Sequence, residues 1–376
     1  MHPSVEAFAI AAGLLALGAA LVHRLGFPPL PVYLLTGLLV GERLPTEALE
    51  PLPSLGFLLL LFSVGLEFGP DRLQALSGKA TRAGLWDALA LPLGVLLGLF
   101  LGLDLRGSLL FAGVVYASSS AVIVKLIIDL HRAANPESEV VLGVLVLEDL
   151  VVALLLAFLG GQGAGFFLSL LLVLAYLLFA RYLGPPLVQF MGTLSDELVL
   201  LLGASFTTGS ALLFHALGAS EGVGAFLSGV IAASLGLRER LEHLFGPIRD
   251  LGVALFFMVV GASALALLQE PSPLAILGAA LGLLLKLPLN LQGGKAAGLG
   301  RKRRVYAGLC LVPRGEFNLV LGLLALKQGY PLVAQVALFL VLVSIPLGAV
   351  LIRFAPEVYR LLEGPREKPA KLEARR

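Results

Sequence analysis

The sequence is poor in charged residues and in cysteine. Charged side chains make up 14% of the 376 residues, against about 25% in soluble domains, and the mean hydropathy is +0.95. The single cysteine, Cys310, excludes an intramolecular disulfide framework. The sequence has no cluster of metal-ligating residues, no Walker loop and no nucleotide-binding GxGxxG motif. These absences argue against a soluble, disulfide-stabilised or nucleotide-dependent protein, and we expect no cofactor.

Long apolar runs are abundant instead. A membrane-spanning helix needs about 20 mostly apolar residues, and we therefore predict an all-α polytopic protein in a lipid bilayer. Cutting the chain at charged or Pro/Gly-rich joints predicts thirteen spans, numbered 1 to 13, at about residues 5–23, 27–41, 52–68, 83–103, 107–128, 139–159, 164–183, 198–216, 219–236, 248–268, 273–292, 304–326 and 331–353.

The basic residues lie mostly on one side of this topology. With loops assigned alternately to the two sides, 21 of the 27 Lys and Arg residues fall on one side and 3 on the other, and 3 lie inside spans. Because cytoplasmic loops retain Lys and Arg, we predict an inner-membrane protein with the N-terminus outside and the C-terminus in the cytoplasm. The cluster Arg301–Arg304 fits a cytoplasmic loop better than a nucleic-acid patch, so no nucleic-acid partner is expected.

Spans 5 and 12 resemble each other, because each is apolar but carries polar residues at its centre. They are seven helices apart, an odd number, and therefore cross the membrane in opposite directions. This predicts an inverted repeat of six helices, with spans 1–6 and 8–13 as the two halves and span 7 as a linker. Inverted repeats with paired discontinuous helices are typical of transporters whose site lies where the breaks meet.

Two adjacent carboxylates stand at the predicted midplane. Glu148 and Asp149 lie about 14 Å into span 6, where a charge costs about 2.5–3.5 kcal/mol on insertion scales. Adjacent helical residues point about 100° apart, so the two cannot face the same way. Lys286, deep in span 11, can pair with one acid, and a purely structural Glu148–Lys286 pair is an alternative. The other acid can exchange a proton for Na⁺ or K⁺.

Polar residues also interrupt spans 5 and 12. Ser118–Ser120 suit an unwound segment whose oxygens replace a cation's water, but serines bonded to their own helix or lining a close helix contact explain them equally well. Pro313 and Gly315 predict a broken helix, with Arg314 and Glu316 as a local pair that caps the half-helix ends.

The candidate residues form two groups. Glu67, near the inner end of span 3, fits a snorkelling interfacial position. The candidate ion- and proton-binding residues are Asp149, Glu148, Ser118, Ser119 and Ser120, with a monovalent cation at Asp149, and the supporting charges are Lys286, Arg314, Glu316 and Glu67.

At Ser118–Val124, Glu148–Asp149, Lys286 and Pro313–Phe317, the chain resembles the monovalent cation:proton antiporter-2 family, the Kef- and NapA-like exchangers. Nearly the whole chain takes part, and FSVGLEF and LVPRGEFNLVLG look like further family stretches. The resemblance implies an NhaA-like fold with two discontinuous crossing helices, a homodimer, and Asp149 as the essential ion- and proton-binding aspartate. It also implies that Lys286 pairs with Glu148.

The resemblance leaves the ion open, because Glu148 stands where sodium exchangers of the family have Asp and Kef systems have Gln. Kef-type chains also commonly carry a nucleotide-binding domain after the last helix. Here about 23 residues follow residue 353, so we expect no such domain in this chain.

The resemblance further implies a division of the chain into domains and a function. The expected function is secondary-active Na⁺/H⁺ or K⁺/H⁺ antiport by elevator-like alternating access, without enzyme activity. Alternatives are a gated potassium efflux channel and a sodium-coupled organic-solute symporter, although the Lys–Glu pair and the PRGEF stretch argue against the symporter. The expected parts are a dimerisation domain at 1–82 and 198–268, a core ion-transport domain at 83–160 and 269–353, a linker helix at 161–197 and a charged tail at 354–376.

Overall fold

The computed structural model describes residues 3–24, 28–40, 51–67, 78–160, 190–217, 221–355, 357 and 359. The regular structure of these residues is all-helical, as expected from the apolar runs, with fifteen helices and no strand. The helices are α1 (Pro3–Arg24), α2 (Leu30–Val40), α3 (Pro51–Leu66), α4 (Gly78–Ala88), α5 (Ala90–Phe100), α6 (Leu105–Tyr116), α7 (Ser120–Asp129), α8 (Pro136–Gly160), α9 (Asp196–Ala216), α10 (Glu221–Ser234), α11 (Arg238–Gln269), α12 (Pro273–Ala296), α13 (Arg301–Cys310), α14 (Glu316–Lys327) and α15 (Pro331–Arg353).

Within the described residues, eight helical stretches are long and apolar enough to cross a membrane. They are α1, α4 with α5, α6 with α7, α8, α9, α11, α12 and α15. The apolar helices α2, α3 and α10 are shorter. Predicted span 7, at 164–183, lies outside the described residues, so the number thirteen stays a prediction.

Some predicted boundaries were wrong. The α11 helix begins at Arg238 rather than near 248, and Arg238 forms an i,i+4 ion pair with Glu242 in the added turns. Predicted span 4 is two helices joined at Leu89, and its first helix starts at Gly78 rather than 83. Pro92 explains the joint, because it has no N–H to donate to the carbonyl four residues earlier.

Glycines set the packing of α3 against α10 and α11. A Cβ atom on Gly56 would overlap the backbone of Gly252 in α11, and one on Gly65 would overlap the backbone around Phe226 in α10. Gly229 of α10 faces α3 in the same way. These helices therefore approach closely enough that their backbones touch, as small residues allow in membrane proteins.

The buried charged residues lie elsewhere, on α4, α8, α12 and α14 and in the segment between α13 and α14. The α12 helix packs on α4, α13 and α15, and α14 packs on α6 and α15. Cys310, at the end of α13, is fully buried. This second group of helices positions the candidate site.

Candidate functional site

Two helices are interrupted and their interruptions touch. Residues 117–119 separate α6 from α7, and residues 311–315 separate α13 from α14. Ser120, expected in the unwound segment, is instead the first residue of α7. The Ser119 N–H donates to the Pro313 carbonyl at 2.9 Å, and a Cβ on Gly315 would overlap the Ser119 hydroxyl. Polar backbone freed at each break is thus satisfied by the other.

Asn318, a residue that the sequence analysis missed, fastens the two breaks. Its Oδ1 accepts from the Gly315 N–H at 2.7 Å, at the start of α14. Its Nδ2 donates to the carbonyls of Val114 at 2.6 Å and Ala117 at 3.0 Å, at the end of α6. The sequence offered a signal for this role, because Asn318 follows Gly315 of the predicted break by three residues.

Each of the three serines holds a different acid. The Ser118 N–H and hydroxyl both donate to the Glu148 carboxylate. The Ser119 hydroxyl donates to Glu316 at 3.1 Å, and the Ser120 hydroxyl donates to Asp149 at 2.8 Å. Consecutive residues at one break therefore connect acids from α8 and α14.

The Lys286 ammonium group lies among three oxygen atoms. Its Nζ lies 2.8 Å from Glu148 Oε1, 2.6 Å from Asp87 Oδ1 and 2.6 Å from the Tyr116 carbonyl. The expected Glu148–Lys286 contact is present, and all three side chains are 1% exposed. Lys286 donates hydrogen bonds to Glu148 and to the Tyr116 carbonyl, and it forms an ion pair with Asp87, whose two carboxylate oxygens have no hydrogen-bond partner among the described residues.

Asp87, the second acid on Lys286, was missed by the sequence analysis. It lies close to the start of predicted span 4, where a charge resembles an interfacial residue, but packing of α4 on α12 buries it. The signal was available, because the rule that singled out Lys286, a charge inside a span, applies equally to Asp87.

Arg314 is fully buried and caps two helices. Its guanidinium donates to the carbonyls of Leu311 at 3.1 Å and Ala117 at 3.4 Å, the C-cap residues of α13 and α6, and to the Ser118 hydroxyl at 2.8 Å. A cation at two helix C-termini is favourable.

The expected local pair between Arg314 and Glu316 was wrong. The described residues contain no ion pair between them, and Glu316 instead occupies the first turn of α14, where the helix dipole favours an anion. The two charges separate because each is stabilised by a different helix terminus.

The buried charges at this centre do not balance. Four acids, Asp87, Glu148, Asp149 and Glu316, accompany two bases, Lys286 and Arg314. Asp87 and Glu148 share Lys286.

Asp149 and Glu316 are the acids left over. They are 6% and 5% exposed, and they form no ion pair within the described part of the chain. Glu67, expected at the interface, directly follows α3 and is partly buried. A cation or protons must neutralise this surplus, because unpaired buried charge is costly.

A bundle of membrane-length helices, two interrupted helices joined at their breaks and a surplus of buried carboxylates together define a membrane ion transporter. The family described as sodium/hydrogen exchanger, transmembrane, matches residues 11–355. The chain therefore belongs to the transmembrane sodium/hydrogen exchanger family.

Full-length relatives agree with this assignment. The chain is 31% identical to the K(+)/H(+) antiporter subunit KhtU of Bacillus subtilis (strain 168), over 95% of this chain and 96% of that protein. It is 33% identical to the ammonium/H(+) antiporter subunit AmhT of Alkalihalophilus pseudofirmus, over 92% and 91%. The relatives are transporters, not enzymes, and they confirm the resemblance to the antiporter-2 family.

A solved structure has the same fold. The sodium proton antiporter MjNhaP1 from Methanocaldococcus jannaschii aligns with a TM-score of 0.69, at 18% identity, over 96% of this chain and 99% of that one. At this identity the similarity establishes the fold alone.

Proposed function

We propose that the protein is a secondary-active antiporter that exchanges a monovalent cation for a proton at Asp149 by alternating access. The observation that carries the proposal is the pair of buried acids, Asp149 and Glu316, that have no ion-pair partner among the described residues. A proton or a monovalent cation can neutralise Asp149, and the two compete for one group. Exchange follows if the group is exposed to each side in turn.

The cation site we propose consists of the Asp149 and Glu316 carboxylates with the hydroxyls of Ser119 and Ser120. Carboxylate and hydroxyl oxygens are hard ligands suited to Na⁺ or K⁺. Both hydroxyls already contact the acids, at 3.1 and 2.8 Å, and can turn their lone pairs to a cation when it displaces the proton.

Glu148 and Ser118 have a different role in this proposal. Ser118 donates to Glu148 and accepts from Arg314, so its hydroxyl is engaged. Glu148 is held by Lys286. Both therefore position the break and fix the field around Asp149 instead of exchanging ligands.

The moving part in this proposal is a core domain of 83–160 and 269–353, which slides against a dimerisation domain of 1–82 and 198–268. The glycine contacts of α3 with α10 and α11 support the second group, and the linked breaks support the first. We further propose an inverted repeat with crossing broken helices, a homodimer and an N-out, C-in orientation, with 161–197 as linker.

Reconstitution with a pH-sensitive dye tests the function. Adding a cation to liposomes with an acidic interior should drive proton efflux at clamped voltage. Na⁺, K⁺ and NH₄⁺ should be compared, because one relative is named for ammonium. A channel would dissipate a K⁺ gradient without moving protons, and a symporter would need an organic substrate; either result would refute antiport.

A further inference from the structure

A row of buried polar atoms without hydrogen-bond partners leads away from Lys286. Both carboxylate oxygens of Asp87, both amide atoms of Asn290 and the Nε of Arg304 are buried and have no hydrogen-bond partner among the described residues. Asn290 is 4% exposed. Buried polar groups in native proteins are almost always bonded to protein or to ordered water, so this row calls for water.

The row follows one face of α12. Lys286, Asn290, Gly293 and Gly294 are spaced by four, seven and eight residues from the lysine, which is the repeat of a single helical face. At the far end of the row, a Cβ on Gly294 would contact Arg304. Arg304 belongs to the basic first turn of α13, so the row ends beside the N-terminus of that helix.

A cavity lies on this row. Its walls come from α4, α8, α12 and α13, and its polar lining is Asp87 and Asn290. The glycines Gly293 and Gly294 leave the space open. The cavity has room for about one water molecule, and its two polar side chains offer the partners that a buried water needs.

The cavity lies on a different face of α8 from Asp149. Val141 and Val144 line it, and Glu148 follows them at helical spacing on the same face. Asp149 is one residue on, about 100° around the helix, and bonds to Ser120 instead.

We propose that this cavity is an internal water site beside the Asp87–Lys286–Glu148 cluster. Water there completes the bonding of Asp87 and Asn290 and thereby holds Lys286 in place. Asp87 and Asn290 are positioning residues for exchange at Asp149. Only the positioning role of Asp87 and Asn290 rests on the proposed function.

Hydroxyl-radical labelling with a synchrotron X-ray pulse tests the hydration directly in the intact protein. Radicals form from bound water and modify the side chains beside it, so Val144 and Leu311 should be labelled although they are buried. Asn290→Leu fills the cavity with an apolar side chain and should abolish this labelling. Asn290→Ser keeps a polar group and space for water, and should retain it.

Transport by the same variants tests the positioning role. Asn290→Leu should lower the maximal exchange rate roughly tenfold while the apparent KM for the cation stays unchanged, because the Asp149 site is untouched. Asn290→Ser should restore the rate. Unlabelled Val144 and Leu311 in the wild type, or labelling that persists in Asn290→Leu, would overturn the water site.

The two proposals fail separately. If the wild type carries out no exchange but Val144 and Leu311 are labelled, the antiporter assignment falls and the water site stands. If exchange is normal in an Asn290→Leu variant that has lost the labelling, the positioning role is wrong. If Asn290→Leu does not fold, the water site is tested by the labelling of Val144 and Leu311 in the wild type and in Asn290→Ser.

Discussion

Two groups of helices in this molecule are held together in opposite ways. The glycine-packed helices α3, α10 and α11 touch backbone to backbone. The helices around the candidate site, α4, α6–α8 and α12–α14, are connected by hydrogen bonds and ion pairs at and beside two breaks. Backbone contact leaves no space to adjust, whereas hydrogen bonds can be exchanged for others of similar energy. This difference supports our proposal that the second group moves during transport while the first serves as the fixed frame.

The largest effect is expected from removing Asp149, the acid proposed to exchange its proton for a cation. Asp149→Asn keeps the shape of the side chain but not its titratable group, so cation-driven proton efflux should fall to the level of empty liposomes. Size-exclusion chromatography should show the wild-type assembly. Asp129→Asn, the same change at the exposed end of α7, is the matched control and should transport normally. Residual exchange in Asp149→Asn would rule out Asp149 as the carrier.

Removing Lys286 should have the next largest effect, on stability. Lys286→Ala strands two buried carboxylates and should cost about 3–5 kcal/mol, measured by thermal unfolding in detergent. Adding Glu148→Gln should recover part of the loss, and adding Asp87→Asn should recover more. Lys125→Ala, which removes a lysine of α7 with no ion pair within the described residues, should cost much less. Losses that simply add, without recovery, would mean that these residues are not energetically coupled.

A smaller effect is expected from a single methyl group in the glycine-packed helices. Gly56→Ala places a Cβ against the backbone of Gly252, and overpacking costs about 1–3 kcal/mol. Gly13→Ala has open space around the new methyl and should be neutral or slightly stabilising, because alanine favours a helix over glycine. Equal melting temperatures for the two variants would contradict the close backbone contact between α3 and α11.

The smallest effect is expected from a substitution at the N-terminal end of α6, far from the break. Asp104 caps this helix by accepting from the Gly107 N–H at 2.8 Å, and it also accepts from the Tyr330 hydroxyl at 2.9 Å. Asp104→Ala should cost about 1 kcal/mol without changing the KM for the cation. Asp104→Asn should retain most of the cap. A change in KM would show that the N-terminal end of α6 is coupled to the site.

The sequence predicted the features that depend on local pattern. Apolar runs predicted the helices, and Pro313 and the serines marked two interruptions, because these signals act within one segment. What it missed depends on packing between distant segments. Asp87 is part of the site only because α4 packs on α12. Arg314 donates to two carbonyls rather than pairing with Glu316, because α6 and α13 end at the same place.

Cys310 has a practical consequence for following the proposed movement of the two helix groups by spectroscopy. It is the one thiol in the sequence and it is fully buried, so thiol-directed dyes and spin labels should not react with the folded wild type. A cysteine introduced on the exposed surface can then be labelled selectively without replacing the native one. Pairs of such labels, one on α11 and one on α12, would report the distance between the two helix groups as the cation is varied.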